Sequence, residues 1–454
     1  MGIASILGSY VYKASYNNMP QNVVTGTKER IIDFLATAFD SYYRAPMEPV
    51  IRVLKTYNAK EESTVIGDGV KLPCSLTAMV NSAYTIRIPD GYRFTGGHPG
   101  CIVIPAALAV SEARCRTKVV SAKELILALV LGYEVMFRIG QAMYPSAHKR
   151  GFSPTTIHGT MGVAAAASKL LGLTEESTIN ALSIASLMSH GLQAAGRASH
   201  PLFSFQVGRA SEAGVLSALV AKAGLKGSDE ILEEGFFPAF SDEYHLDLIE
   251  KDLGKDYMLP KTYIKLHGGV RASHASIDAI QHIVDKYGLK PDDVEKIRVR
   301  EYGTAFAILI KDPKNGRQAE YSIPFIVSIA LIYGAVSLDR FTDTTLKSEP
   351  VQQLMRKITV EHDPELDKEF PQKRPSIVEV TTKDGKIFSH RVDLAKGEPE
   401  NPLSKSEIED KFNHMASRVV NEETRQKIID CVNKLETIDD ITGLFPLLKA
   451  TSSA

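Results

Sequence analysis

Residues 163–168 read Val163-Ala164-Ala165-Ala166-Ala167-Ser168, inside a helical pattern that runs from Gly159 to Leu171. Small apolar side chains occupy nearly every position, so a helix formed here has almost no polar face. The stretch Ala181–Met188 has the same character. Helices that are apolar on nearly all sides belong in the middle of a bundle rather than on its outside. These stretches therefore predict a large helical domain with buried central helices.

The same helical spacing fills most of the chain up to about residue 250. Apolar residues recur three and four positions apart in Thr27–Phe39, Pro105–Ala113 and Ala122–Ala142. The pattern returns beyond Pro402, in two segments that read as a final pair of helices, Lys405–Val420 and Thr424–Leu435. We expect this pair to rejoin the first bundle, so that residues 1–259 and 401–454 form one large domain.

Residues 260–400 have a different pattern, which is typical of a small α/β domain. Four segments alternate as strands do: Val294–Tyr302, Lys357–Glu361, Ile377–Thr382 and Lys386–Val392. The last two flank Asp384-Gly385, a strong hairpin signal. Helical patterns lie between the strands, at Ser273–Tyr287 and Pro324–Tyr333. The predicted fold class is mainly α: a large all-helical domain into which a smaller α+β lid domain is inserted.

The composition excludes several classes of protein. The 454 residues carry 53 Lys+Arg against 54 Asp+Glu, so no basic surplus points to a nucleic-acid partner. The four cysteines are scattered without a Cys-x-x-Cys pair, which argues against a zinc ribbon or an iron–sulfur cluster. Few cysteines in a large chain are typical of a reducing interior. No segment reaches eighteen uninterrupted apolar residues, so we expect a cytoplasmic protein with no membrane contact.

A basic segment precedes the helical pattern that begins near Ser273. It reads Tyr263-Ile264-Lys265-Leu266-His267-Gly268-Gly269-Val270-Arg271-Ala272-Ser273-His274. Glycines before a helix let backbone N–H groups point outward, toward an anion at the positive end of the helix dipole. Lys265 and Arg271 would then hold a carboxylate, and a histidine would move a proton. The alternative is a surface loop with scattered charges and a capping histidine.

A second cluster lies in a glycine-rich turn before another helix. It reads Asp90-Gly91-Tyr92-Arg93-Phe94-Thr95-Gly96-Gly97-His98-Pro99-Gly100. Turns of this kind position functional groups rather than fill a core. His98 is a candidate acid or base, and the alternative is a histidine that only satisfies loop carbonyl groups.

These clusters, taken with other segments, resemble the MmgE/PrpD family, which includes 2-methylcitrate dehydratase and cis-aconitate decarboxylase. The segments that carry the resemblance follow one another along nearly the whole chain: Asp90-Gly91, Gly97–Ala109, Gly159–Leu173, Lys265 with His274 and Ile277-Asp278-Ala279, Tyr321–Phe325, Asn401–Ser404 and Lys411-Phe412. The resemblance implies a homodimer with a helical domain, a lid domain, a site between them, and no metal or cofactor. It also implies lyase or isomerase chemistry on small di- or tricarboxylates.

That chemistry needs cations for the carboxylates, a base for a carbon-bound proton and an acid for a leaving group. Where the segments match, the resemblance implies pocket residues at Asp90, His98, Lys265, His274 and Tyr302. We expect His98 to act as acid or base, Lys265 to anchor a carboxylate and Tyr302 to supply a phenolic donor, with Asp90 beside them as the fourth catalytic residue. The predicted substrate-binding residues are Tyr92, Ser153, His158, His267, Arg271 and His274.

The chain also departs from the family pattern. Ser153 stands where relatives often have a histidine, and Phe203 lies where they often have a basic residue. Ser153-Pro154 reads as an N-cap followed by proline at the first helical position, which would place His158 inside the helix as a buried structural histidine. The loss of one cationic candidate suggests a smaller or partly apolar acid as substrate.

Three interpretations remain open at this stage. The first is a cofactor-independent lyase, either a dehydratase acting on a hydroxy acid such as a 2-methylcitrate-like substrate or a decarboxylase. The second is an epimerase or isomerase of a dicarboxylate. The third is a catalytically degenerate family member that only binds a carboxylate. The Ala-rich helices mark no obvious apolar stripe as a dimer face, so the homodimer rests on the resemblance alone.

Overall fold

A computed structural model describes residues 1–44, 47–85, 87–198 and 200–451. Its contacts divide the chain into two compact units. The first, called here the helical unit, consists of Met1–Thr262 and Ser404–Ala454. The second, the mixed unit, consists of Tyr263–Leu403. The prediction of a mainly α chain is confirmed, and the interpretation of residues 260–400 as a lid stays a prediction.

The helical unit consists of helices and one short two-stranded ribbon, which the sequence analysis did not predict. Its helices before the mixed unit are α1 (Ile3–Lys13), α2 (Gln21–Tyr43), α3 (Glu48–Lys55), α4 (Cys74–Tyr84), α5 (Gly100–Cys115), α6 (Ala122–Met143), α7 (Ser146–Lys149), α8 (Pro154–Ile157), α9 (Gly159–Leu171), α10 (Glu175–Leu187), α11 (Gln193–Ala198), α12 (His200–Lys222), α13 (Phe237–Phe240) and α14 (Asp247–Glu250). The ribbon pairs β1 (Ser63–Thr64) with β2 (Lys71–Leu72) in antiparallel orientation.

The centre of the helical unit is the packing of α9 against α5, α6 and α12. Residues 163–167 of α9 are buried on all sides, as the all-apolar pattern predicts. Two glycines allow α6 and α9 to approach closely, because a Cβ added at Gly162 would lie 2.6 Å from the carbonyl oxygen of Gly132. Larger residues at these two positions would force the helices apart.

One helix in the described part of the chain, α6, is long and apolar enough to cross a membrane. Within the protein, 94% of its most apolar window is buried. A buried apolar helix of this kind is what the core of a bundle requires. Its start is fixed by a capping box, in which Ser121 and Glu124 bond each other's backbone N–H groups.

The mixed unit combines a four-stranded sheet with helices. Its elements are α15 (His274–Tyr287), β3 (Val294–Glu301), α16 (Gly303–Ala307), α17 (Gly316–Ala319), α18 (Ile323–Tyr333), α19 (Asp343–Lys347), α20 (Glu349–Met355), β4 (Ile358–His362), α21 (Pro364–Asp367), β5 (Ser376–Thr382) and β6 (Ile387–Val392). The strand order is β4-β3-β5-β6, with β3 and β4 parallel and the other two pairs antiparallel. All four predicted strands are confirmed.

The sheet has one buried face, which its alternating sequence dictates. Ile297 pairs with Ile358 on one side and with Val380 on the other, and these side chains join the core formed with α15 and α18. The predicted hairpin turns at Gly385, whose φ of +84° lies in the left-handed region. The mixed unit thus has a hydrophobic core of its own.

The chain returns to the helical unit through α22 (Lys405–Ala416) and α23 (Glu422–Asn433). The ammonium group of Lys411 on α22 donates to the carboxylate of Asp33 on α2, and both side chains are buried. Phe412 packs edge-on against Phe39, with ring centroids 6.4 Å apart. A buried ion pair and an aromatic contact therefore attach the C-terminal segment to the second helix of the chain.

We predict that Lys411→Met lowers the free energy of unfolding by about 3–5 kcal/mol, because it leaves the buried Asp33 carboxylate without its cation. Urea denaturation at neutral pH measures the change. The double variant Asp33→Leu/Lys411→Met should recover most of the loss, since it removes both charges. A double variant as unstable as the sum of the two single variants would contradict this role for the pair.

Candidate functional site

The glycine-rich turn before α5 is built around the carboxylate of Asp90. One oxygen, Oδ1, accepts a hydrogen bond from the backbone N–H of Gly100 at 2.7 Å, and Oδ2 accepts one from the hydroxyl of Tyr133 at 2.8 Å. A Cβ added at Gly100 would lie 2.5 Å from Oδ1, so only glycine permits this approach. Asp90 therefore joins the first residue of α5 to the middle of α6.

Burial changes the acidity of this carboxyl group. The Asp90 side chain is 2% exposed, and desolvation raises its pKa to about 6. The positive charge of Arg30 and the hydrogen bonds from Tyr133 and Gly100 oppose the rise. A cavity of about 10 Å³, lined by Arg30, Asp33 and Asp90 among others, lies beside the carboxylate. That volume is about the minimum that holds a single water molecule.

His98 is the more accessible acid–base group of the turn. Its Nδ1 lies 2.7 Å from the backbone carbonyl oxygen of Asp90. A carbonyl oxygen only accepts, so Nδ1 carries the proton in the neutral ring and the basic lone pair is on Nε2. His98 is partly exposed, whereas Asp90 is buried with both oxygens bonded. Asp90 therefore holds the turn in place, and His98 is the partly exposed imidazole of that turn.

The side chain of Tyr92 packs the same turn against two aromatic rings. Its ring contacts Phe94 and Phe137 at centroid distances of 5.3 and 5.1 Å, and its hydroxyl accepts a hydrogen bond from Gln141. Its carbonyl oxygen accepts from the N–H groups of Thr95 and Gly96, which closes the turn. The structure thus brings together Asp90, Tyr92 and His98, three of the predicted site residues.

Ser153 and His158 lie near the start of α9. Proline occupies the first position of α8 as predicted, but the Ser153 side chain makes no capping hydrogen bond within the described chain. His158 lies at the junction of α8 and α9 rather than inside one helix, because the two are separate. Burial lowers its pKa to about 3, and its Nε2 has no hydrogen-bond partner among the described residues. His158 is therefore a neutral, buried imidazole.

Phe203, on α12, belongs to an apolar cluster with Cys101 and Val207. Cys101 follows the turn directly, and its thiol donates to the carbonyl oxygen of His98. Position 203 is thus occupied by an apolar side chain that packs behind the histidine turn.

In the mixed unit, the glycine pair does not present its backbone to an anion as expected. The N–H of Gly268 donates to the carbonyl oxygen of Val336, and that of Val270 donates to Glu320. A Cβ at Gly268 would lie 2.6 Å from the ring of Phe341, and Gly269 has a φ of +87°. The glycines therefore serve close packing within the unit, which corrects the prediction of a backbone anion cradle.

Arg271 is held by protein groups. Its Nε and Nη2 donate to the buried carboxylate of Glu398 at 3.0 and 2.8 Å, and further bonds reach backbone carbonyl groups. Its guanidinium stacks on the ring of Tyr263 at 4.7 Å. Because its charge is neutralised inside the unit, this geometry argues against Arg271 as an anchor for a substrate carboxylate.

Two other predicted residues, His267 and His274, form a cluster with Arg271. The fully buried His274 has its Nδ1 3.0 Å from Nη1 of Arg271. The rings of His274 and His267 are 5.4 Å apart, and Nε2 of His267 is 2.9 Å from Oδ1 of Asp278. Lys265 is also buried. The mixed unit thus brings His267, Arg271 and His274 into one cluster, in which Asp278 orients the first imidazole.

Tyr302, the predicted phenolic donor, follows a buried acid that the sequence analysis missed. Tyr302 is buried and stacked on Phe370 at 5.1 Å, and burial raises its pKa. Glu301 is fully buried, Oε1 accepts from the hydroxyl of Ser376 at 2.8 Å, and desolvation raises its pKa to about 8. The alternation of buried and exposed residues along β3 could have predicted the burial of Glu301, because residues 297, 299 and 301 share the buried face.

Within the described ranges, no group of three or more histidine, cysteine and acidic side chains could hold a metal ion. The glycine-rich turn gathers carboxyl, phenol and imidazole groups, and the mixed unit gathers imidazole, guanidinium and carboxyl groups. Groups of these kinds transfer protons and bind anions in proteins. The fold and the clusters are those of a two-unit, mainly helical protein with titratable side chains gathered in each unit.

Matches between this chain and two family profiles identify its family. The MmgE/PrpD N-terminal domain profile matches residues 5–249, and the MmgE/PrpD C-terminal domain profile matches residues 268–437. Together they cover most of the chain, which therefore belongs to the MmgE/PrpD family, a family of lyases. The second match runs into α22 and α23, which the structure groups with the helical unit.

The individual relatives are named either for cis-aconitate decarboxylase or for 2-methylcitrate dehydratase. The cis-aconitate decarboxylase of Homo sapiens is 27% identical, with 100% of this chain and 96% of that protein aligned. The cis-aconitate decarboxylase-like protein oryM of Aspergillus oryzae is also 27% identical, over 98% of this chain and 97% of that protein. The 2-methylcitrate dehydratase of Escherichia coli is 24% identical, over 68% of this chain and 69% of that protein.

We predict that Glu301→Gln removes a pH dependence of stability. The folded-state pKa of Glu301 is raised from 4.5 to about 8, so the stability that this group contributes is lost as pH rises between those values. The difference in unfolding free energy between the variant and the wild type should grow with pH by up to about 1.4 kcal/mol per unit. Urea denaturation at pH 5 and pH 8 measures it.

The exposed Glu361 of β4, which pairs with Arg298, is the matched control. Glu361→Gln should leave the pH dependence as in the wild type, since an exposed pair contributes little. Equal pH dependence in Glu301→Gln and wild type would show that Glu301 does not titrate in this window.

Proposed function

We propose that this protein is a lyase that cleaves a bond next to a carboxylate in a small di- or tricarboxylic acid, with no cofactor, and that decarboxylation is its reaction. The alignments favour decarboxylation, because the decarboxylases align over nearly the whole chain and the bacterial dehydratase over two thirds of it. The observation that carries the proposal is the geometry of His98. A buried carboxylate fixes its turn, and a carbonyl group fixes its tautomer.

The proposed decarboxylation needs one proton donor besides the substrate, and His98 supplies that proton. The bond between carbon and the leaving carboxylate breaks, carbon dioxide departs, and the electron pair stays on carbon as a carbanion conjugated with its neighbours. Protonated His98 then gives a proton to that carbon. In the related dehydration, neutral His98 takes the carbon-bound proton through Nε2, the carbon–oxygen bond breaks, and the hydroxyl leaves as water with a proton from the proposed donor Tyr302.

The remaining residues have supporting roles in this proposal. Lys265 is the proposed carboxylate anchor, as the family resemblance implies, and Arg271 is instead held by Glu398. A cation close to the developing negative charge stabilises the transition state more than the ground state. Tyr302 remains the proposed phenolic donor, and burial keeps its hydroxyl protonated by raising its pKa.

The substrate we propose is smaller or more apolar than citrate. Phe203, Cys101 and Val207 form an apolar cluster behind the histidine turn. Ser153 is a buried hydroxyl, which brings no positive charge to a carboxylate. Each cation that is lost weakens the binding of a further carboxylate, because charge-assisted hydrogen bonds contribute about 1.5–3 kcal/mol each.

We predict that purified protein turns over at least one member of a panel of unsaturated and hydroxylated di- and tricarboxylates, with release of carbon dioxide. His98→Gln should lower kcat by roughly 100- to 10,000-fold, since the amide cannot transfer the proton. Product detection by NMR and carbon dioxide assays measures both. His414→Gln, at an exposed position of α22, is the control that should keep full activity.

Four outcomes of this assay would change the proposal. Equal activity of His98→Gln and wild type would remove His98 from the chemistry. Incorporation of solvent deuterium without net cleavage would identify an epimerase or isomerase. Thermal stabilisation by an acid of the panel, with no turnover of any, would identify a binding protein. A clear preference for citrate-type acids over all smaller ones would contradict the size argument.

We predict a separate effect for Lys265→Met. Loss of the anchor should raise KM by roughly 10- to 100-fold, in line with a charge-assisted bond of about 1.5–3 kcal/mol. Lys265→Arg, which keeps the charge, should retain more of the affinity. Steady-state kinetics on the best substrate of the panel measure both, and an unchanged KM in Lys265→Met would exclude this role.

A further inference from the structure

A cavity of about 260 Å³ lies in the helical unit, at the far end of α5 from the glycine-rich turn. Helix α5 begins at Gly100, which bonds Asp90, and ends at Cys115, which lines this cavity. The helix has 16 residues, so its two ends are about 24 Å apart at 1.5 Å per residue. A small molecule bound in this cavity is therefore too far away to touch His98.

Hydrogen bonds between three segments hold the walls of this cavity in place. The carboxylate of Glu112 on α5 accepts from the backbone N–H and the hydroxyl of Thr64 on β1, at 2.6 and 2.8 Å. The ribbon is bonded to the C-terminal segment, because the N–H of Gly67 donates to the carbonyl oxygen of Leu448 at 2.8 Å and the N–H of Ala450 donates to that of Gly67 at 3.0 Å. The cavity is therefore preformed, and a ligand would not have to order its walls.

The charges of the side chains that line the cavity do not cancel. The ammonium group of Lys71 donates to Oε1 of Glu112 at 2.9 Å, and these two charges neutralise each other. Two more cations line the cavity, Arg116 and Lys449, and both are exposed. The Arg116 guanidinium donates to the carbonyl oxygen of Glu61, and within the described ranges neither cation has an ion-pair partner. The lining thus carries two uncompensated positive charges.

Two negative features near the cavity are bonded within the protein. The carboxylate of Asp440 precedes the 3₁₀ helix Ile441–Leu448 and accepts from the N–H of Thr442 at 3.0 Å. At the end of α5, the carbonyl oxygen of Arg114 accepts from the N–H of Thr117 at 2.9 Å. These bonds reduce the repulsion that an anion in the cavity would meet.

One wall of the cavity is apolar. It is formed by Phe445 and Pro446 of the 3₁₀ helix, with the Cys115 side chain also in the lining. An apolar wall beside a few polar groups is the usual composition of a small-molecule site. The volume is slightly below the range of about 300–1,000 Å³ that holds drug-sized ligands, so a small metabolite fits best.

We propose that this cavity binds a small phosphate monoester, with Arg116 and Lys449 on the phosphate group and Phe445 against the carbon skeleton. A phosphate monoester carries a charge of about −1.5 to −2 at pH 7, which matches the two uncompensated cations. The planar guanidinium binds two phosphate oxygens, and the ammonium is a compact charge for the third. A single carboxylate would leave one of the cations without a partner.

The test titrates the full-length protein with phenyl phosphate in an isothermal calorimeter, near neutral pH and at low salt. One site with a dissociation constant below about 1 mM is expected. Arg116→Gln and Lys449→Gln should each raise that constant roughly 10- to 100-fold, because each removes a charge-assisted hydrogen bond. Benzoate, which has the same ring but a single carboxylate, should bind at least roughly tenfold more weakly.

Two further variants serve as controls. Lys226→Gln removes one positive charge at an exposed ion pair after α12, so it should bind phenyl phosphate as the wild type does. Lys265→Met, in the mixed unit, should also bind it unchanged, which separates this cavity from the proposed carboxylate anchor. Circular dichroism confirms that each variant is folded.

Any of four results overturns the proposal. No binding heat at millimolar phenyl phosphate removes the site. An unchanged dissociation constant in both Arg116→Gln and Lys449→Gln places the phosphate elsewhere, and weaker binding in Lys265→Met places it at the proposed anchor. Equal affinity for benzoate and phenyl phosphate shows that the phosphate group is not what the cavity recognises.

Discussion

The candidate site in the helical unit depends on one interaction: the Asp90 carboxylate accepts hydrogen bonds from the first N–H of α5 and from the hydroxyl of Tyr133 on α6. It fixes the distance between two helices, the shape of the turn between residues 90 and 100, and through the Asp90 carbonyl the tautomer of His98. A carboxylate at a helix N-terminus gains from the helix dipole, which partly offsets its burial. Its raised pKa shows that the offset is incomplete. The protein thus keeps the Asp90 carboxylate in its core despite the cost of burying a charge, because this carboxylate holds the turn that orients the His98 imidazole.

The same cost of buried charge explains why three buried cations are paired inside their own unit. Arg271 is neutralised by Glu398, Arg138 by Glu134 and Lys411 by Asp33, each inside one unit. Removing one partner from such a pair costs several kcal/mol, so these charges serve the fold. A sequence shows a cation but not its partner, and Glu398 is 127 residues from Arg271. Long-range pairing therefore decides which basic residue serves a ligand, and this removes Arg271 from the proposed anchor set.

The regular elements were predictable because their patterns are local. The buried helices α6 and α9, the hairpin at Gly385 and the strands of the mixed unit follow from apolar spacing and turn chemistry over ten to twenty residues. The two-residue ribbon was missed because it is too short for any alternation to register. The backbone anion cradle at Gly268 was wrong for another reason. A glycine lets another group approach the backbone closely, but the sequence does not show whether that group is a ligand or, as here, the ring of Phe341.

Glu301 shows how burial hides information in the sequence. It continues the inward alternation of β3, yet a charged residue at a strand end usually marks the edge of the core. A sequence alone therefore does not tell a buried acid from an exposed one at this position.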